Sequence, residues 1–253
     1  MFDNIHIASV LVTYVAVLFS LSVHEAAHAT AAYLLEDDTA RRLGRMTLNP
    51  IAHIDLIGTV LMPLIGILGN VRVLGWAKPV PVDPNRLTRR FRMRVAYAMV
   101  AGAGPASNLV QSLVFLVALC LLIRFGLPVD PAQRGVVLMR SMYGSVEAFL
   151  AIPGLSAGTA LALTLLGRLV AINIGLAIFN LLPFGPLDGA SILRGFLPWR
   201  WLQSYDRAQP IIGIVLLACF FILPQVIMAI LSPFYFVAEN LYLYPLARLL
   251  LGV

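Results

Sequence analysis

The stretch IASVLVTYVAVLFSLSVHEAAHATAAYLL, residues 7–35, constrains the fold more than any other part of the chain. It is longer than the about 20 apolar residues that cross a bilayer. It contains no Lys or Arg, the first cation being Arg41. That absence, with a run too long for a secretory core, argues against a cleaved signal peptide. A membrane helix from about Ile5 to Leu35 is the expectation. Within it stand His24, Glu25 and His28, where a charge at bilayer depth costs about 2.5–3.5 kcal/mol. Such a cost points to function.

Composition carries the same reading to the whole chain. Apolar residues make up 60% and charged residues 12%, against about 25% charged in soluble domains. Mean hydropathy is +0.90. Further apolar runs lie at about 95–123, from about 148 towards Gly189, at 209–231 and at 234–251. A shorter run, IDLIGTVLMPLIGILGN, has Pro63 in its middle. The expected class is an all-α polytopic membrane protein. It would have about five to six membrane helices, a re-entrant segment and a small β-hairpin or edge strand. The net charge of +6 sits in loops, as expected of cytoplasmic loops facing anionic headgroups rather than of a nucleic-acid binder. Cys120 and Cys219 lie in separate apolar segments without metal-type spacing and read as small buried hydrophobes.

Charge distribution sets the topology. Arg41, Arg42 and Arg45 precede the run at 56–70, and Arg72, Lys78, Arg86, Arg89, Arg90, Arg92 and Arg94 follow it. If that run dips in and returns, both basic loops share the cytoplasmic face, as the positive-inside rule prefers. The run is short for a span and broken by proline, which suits a re-entrant element. Parity then brings the cytoplasmic end of the first helix, with His28, to the same depth as Asp188.

His24 and His28 are four residues apart, so they project from one helical face. An i, i+4 histidine pair with an adjacent glutamate is the pattern of a zinc clamp with a general base. Hydrolysis of an amide needs both parts, because zinc lowers the pKa of bound water to about 7 and a carboxylate can take the proton. A catalytic site keeps three protein ligands. Asp188 is the leading candidate for the third, with His53 an alternative.

Five stretches in order, HEAAH, NPIAHIDLIGT, GWAKPVPVDP, GAGPASN and FNLLPFGPLDG, resemble the signatures of the site-2 protease family of intramembrane zinc metalloproteases. The compact bacterial branch without a PDZ or CBS domain is the nearest likeness, and it covers about residues 20–195. The resemblance implies Zn2+ held by His24, His28 and Asp188, with Glu25 as catalytic base. It also implies a membrane-embedded protein substrate and an integral protein of a bacterial plasma membrane, its active site towards the cytoplasm. The chain, 1–253, is expected to form a single transmembrane metalloprotease domain, with a catalytic core at about 5–195 and C-terminal membrane helices at about 209–251.

Asn108 and Asn180 are candidates for holding the substrate strand or a developing oxyanion, the alternative being helix–helix hydrogen bonding. His53 reads either as a residue near the site or as an interfacial side chain, and Asp55 as a helix N-cap. The prolines of VRVLGWAKPVPV suit an edge strand, which could pair with extended substrate backbone. Two rival readings remain. An ion- or proton-coupled transporter could use the same polar cluster as a relay, but no internal repeat is visible. A non-catalytic homologue would lack Glu25 or a ligand, and none is missing.

Overall fold

A computed structural model describes residues 7–63, 65 and 75–252. Among them the regular elements are helical. The first, α1 (Ile7–Leu34), is followed by the single turn α2 (Thr39–Arg42), a 3-10 turn at Pro50–His53 and a π-helical turn at Leu56–Leu61. Then come α3 (Met93–Gly126), α4 (Pro131–Tyr143), α5 (Val146–Leu150) and α6 (Ala157–Asn180). The remainder is α7 (Asp188–Phe196), α8 (Trp199–Ile222), α9 (Pro224–Ala238), a π-helical turn at Glu239–Leu243 and α10 (Tyr244–Leu251).

Four helical stretches among the described residues are long and apolar enough to cross a membrane: Ile7–Leu34, Met93–Gly126, Ala157–Asn180 and Gln225–Leu251. Five to six were expected. The difference has a local cause. The expected helix at 209–231 is cut at Leu223, which leaves helical geometry (φ −131°, ψ 60°) ahead of Pro224. Proline biases the residue before it away from helix. Conversely, 234–251 joins the residues before it in one long stretch.

The expected β-hairpin is not seen: no strand is present among the described residues. Residues 71–74, at the start of the expected edge strand, and most of 64–70 lie outside them. From Gly75 to Val82 the chain has no regular secondary structure, because its amides are used elsewhere. The Trp76 N–H donates to Gly58 O (3.3 Å) and the Lys78 N–H to His53 O (2.9 Å). The Val80 N–H donates to Glu25 Oε2 (2.9 Å). Pro79 and Pro81 have no N–H to offer. This strap lies against the π-helical turn: Thr59 Oγ1 donates to Trp76 O (2.8 Å), and a Cβ on Gly58 would overlap the Trp76 ring.

The chain divides into two compact units. One comprises Met1–Ser20, Leu109–Gly175 and Phe234–Val253, the other Leu21–Asn108 and Leu176–Pro233. In the first, Arg124 and Arg134 donate to the carbonyls of Leu250 (2.9 Å) and Leu251 (2.6 Å) at the end of α10. Arg168 holds the carbonyls of Met142 and Gly144 at the end of α4 (2.9 and 2.7 Å). The second unit has a small core of Ala32, Leu87, Ala96 and Val100, with Leu35, Val82 and Tyr97 against it. Exposed Leu, Ile, Val and Phe side chains recur along the long helices, as lipid-facing surfaces require.

Candidate metal centre

Every group of this centre lies in the second unit. His24 and His28, one turn apart on α1, are presented to α3. Asn108 Oδ1 lies 2.6 Å from His24 Nδ1, and Val100 O lies 2.8 Å from His28 Nδ1. A carbonyl oxygen accepts only, so each Nδ1 carries the hydrogen and each Nε2 keeps its lone pair. The two Nε2 atoms are 3.0 Å apart. Two lone pairs face each other at hydrogen-bond distance.

Asp188 completes the group. It is the first residue of α7, where a carboxylate is favoured by the helix dipole. Its Oδ2 is 3.2 Å from His24 Nε2 and its Oδ1 3.4 Å from His28 Nε2. Asp188 Oδ2 is buried and makes no hydrogen bond to the described residues. One ligand atom from each of the three residues falls within 4.8 Å of the others. A cation resolves the mutual repulsion of three such donors, and two imidazoles with one carboxylate suit Zn2+. The donor set fits the metal.

The approach of α3 depends on Gly104. A Cβ there would overlap His28 Nε2 and press on His24 Cε1. Glu25 stands outside the three-residue group, 9% exposed, with Oε2 accepting from the Val80 amide at 2.9 Å. That amide was not anticipated, because a backbone N–H carries no residue-type signal.

The other candidates fall elsewhere. Asn108 is fully buried, with its Oδ1 against His24 Nδ1. Asn180 ends α6, and its amide donates to Leu176 O within the same helix (3.0 Å). His53 is buried rather than interfacial. Its Nε2 pairs with Thr47 O (2.8 Å), and it is absent from the metal-capable group. Asp55 caps the π-helical turn by accepting from Ile57 and Gly58 (3.0 and 2.7 Å).

A two-histidine, one-carboxylate group on a chain with four candidate membrane spans is the arrangement a membrane metalloprotease requires. Comparison makes the assignment specific: residues 12–223 match the family described as Peptidase family M50, and the chain belongs to that family. It is 32% identical over 208 residues to the Bacillus subtilis (strain 168) protein named "Putative zinc metalloprotease YwhC", covering 81% of this chain and 78% of that one. No solved structure matches.

Proposed function

We propose that the chain is a zinc-dependent intramembrane endopeptidase, hydrolysing peptide bonds in or near the membrane-spanning segments of protein substrates. The observation that carries this reading is the convergence of His24, His28 and Asp188 beside the Glu25 carboxylate. The two histidines and Asp188 would hold the metal. When bound, Zn2+ supplies Lewis acidity, which lowers the pKa of a coordinated water towards about 7. Glu25 does the proton work. The Val80 amide fixes its Oε2, which aims the carboxylate and leaves Oε1 to take a proton and return it to the leaving amine. Asn108 and Val100 hold the imidazoles in the tautomer that presents Nε2, as outer groups of metal sites do.

The whole chain acts in this reading as one transmembrane metalloprotease domain, an integral protein of a bacterial plasma membrane with its site towards the cytoplasm. Residues 56–70 are taken as re-entrant. The return of Trp76 to Gly58 supports that reading, as does the positive-inside rule, which prefers both basic loops on one face. Asn180 and His53 remain candidates for substrate contact in that reading. The test is metal analysis with a peptidase assay on a membrane-protein substrate, comparing wild type with Glu25→Gln. Wild type should carry about one zinc per chain and cleave. A wild type that binds no metal, or a Glu25→Gln variant that cleaves normally, would overturn the reading.

A further inference from the structure

We propose that one face of α8 is a brace for the loop that carries Asp188, with Tyr205, Gln209 and Gly213 as its positioning residues. The inference rests on the metalloprotease reading above. These residues recur every fourth position and so share one helical face. The Tyr205 hydroxyl donates towards two carbonyls, Pro183 (3.0 Å) and Ala190 (3.1 Å), which flank Asp188 on both sides. One turn on, Gln209 Oε1 accepts the Gly185 N–H. A further turn on, a Cβ at Gly213 would stand 2.6 Å from Gly185 O, so glycine sets how closely the helix approaches. Opposite, Gly189 packs so tightly that a Cβ would overlap the carbonyls of Leu181 and Leu182. The backbone around Asp188 is pinned at residues 183, 185, 189 and 190.

The carboxylate needs this support. His24 and His28 are each aimed by a hydrogen bond to the ring nitrogen remote from the centre. Asp188 Oδ2 has no hydrogen bond to the described residues, so its direction is inherited from the loop. Outer groups that orient metal ligands are worth about 10–100-fold in metal affinity. For the histidines these groups are Asn108 and Val100. For Asp188 they act one step removed, through backbone held by α8.

The test uses the full-length chain in detergent, with Zn2+ affinity from chelator competition and the visible spectrum of the Co2+-loaded protein. Tyr205→Phe and Gln209→Leu should each weaken Zn2+ binding about 10-fold or more and shift the Co2+ bands. Gly213→Ala should do the same although alanine is the better helix former, so its loss cannot be ascribed to a weaker helix. Asp206→Asn serves as control. It breaks the exposed Arg194–Asp206 pair (2.9 and 3.0 Å), which joins α7 to α8 without touching the loop, and should leave affinity and spectrum unchanged. Wild-type affinity and spectrum in Tyr205→Phe, Gln209→Leu and Gly213→Ala would overturn the brace while leaving the metal site intact. So would an equal loss in Asp206→Asn. Failure of wild type itself to bind Zn2+ or Co2+ would overturn the metal reading and the brace with it.

Discussion

Five side chains and two backbone groups meet at the candidate centre, and substitution separates their proposed roles. Gln at position 25 can still accept from Val80 but cannot hold a proton as a carboxylate does. Glu25→Gln is therefore expected to lose the about 10²–10⁴-fold that a positioned base contributes while zinc content stays near one per chain, read by metal analysis beside turnover. Asp188→Ala is expected to lower metal content and turnover together, whereas His53→Ala should spare the metal because His53 pairs with Thr47 O. Asn108→Leu leaves His24 Nδ1 without its acceptor and should cost about 10–100-fold in zinc affinity. His24, Glu25 and His28 were legible in the sequence because their spacing acts within one helix. Asp188 was singled out because a chain so poor in carboxylates offers few alternatives, and its carboxylate lies against both histidines. Asn108 was visible as a polar residue, but its bond to His24 was not, since it spans 84 positions.

Among the elements, the strap at 75–82 departs most from expectation. Its alternating amides look like an edge free to pair, yet at Trp76, Lys78 and Val80 they are already taken by the protein itself. Val80→Pro removes the donor to Glu25 and is expected to slow turnover with zinc retained, measured as kcat against metal content. Hydropathy could not foresee that Asp188 opens a helix of its own, because the apolar character of α6 runs on into the loop. The break at Leu223 was marked by Pro224 but masked by the apolar residues on either side. Asp38, beside α2, offers a pH-dependent readout. Burial pushes its carboxyl up, but the guanidinium groups of Arg42 and Arg86 outweigh this and hold it below the usual carboxylate range. A carboxylate held low contributes stability above its unfolded value that is lost as pH falls through its folded one. Protection of the Thr88 amide, bonded to Leu35 O at 2.7 Å, should therefore fall as pH drops through and below the usual carboxylate range, read by hydrogen exchange.

At the scale of the whole molecule, the membrane class was legible from hydropathy, whereas the interruption at Leu223 was not, since length and apolarity do not report where a helix breaks. Sidedness is open to a direct measurement. In a Cys120→Ala, Cys219→Ala background, single cysteines at Thr39 and Asn85 should resist an impermeant thiol reagent in intact cells, and one at Gln133 should react. Labelling at position 85 would place a true crossing at 56–70. The bonds from Arg124 and Arg134 to the carbonyls of Leu250 and Leu251 bear on how the chain is made. Every residue of the metal centre, and the brace behind it, has been synthesised by residue 213. The first unit draws on Met1–Ser20, Leu109–Gly175 and Phe234–Val253, so its last piece leaves the ribosome after all the others. Until then the two guanidinium groups lack these carbonyl acceptors. Closure of that unit therefore waits on Tyr244–Leu251, and a ribosome stalled before Tyr244 would leave a chain whose candidate metal ligands are all made while Arg124 and Arg134 still lack these two carbonyls.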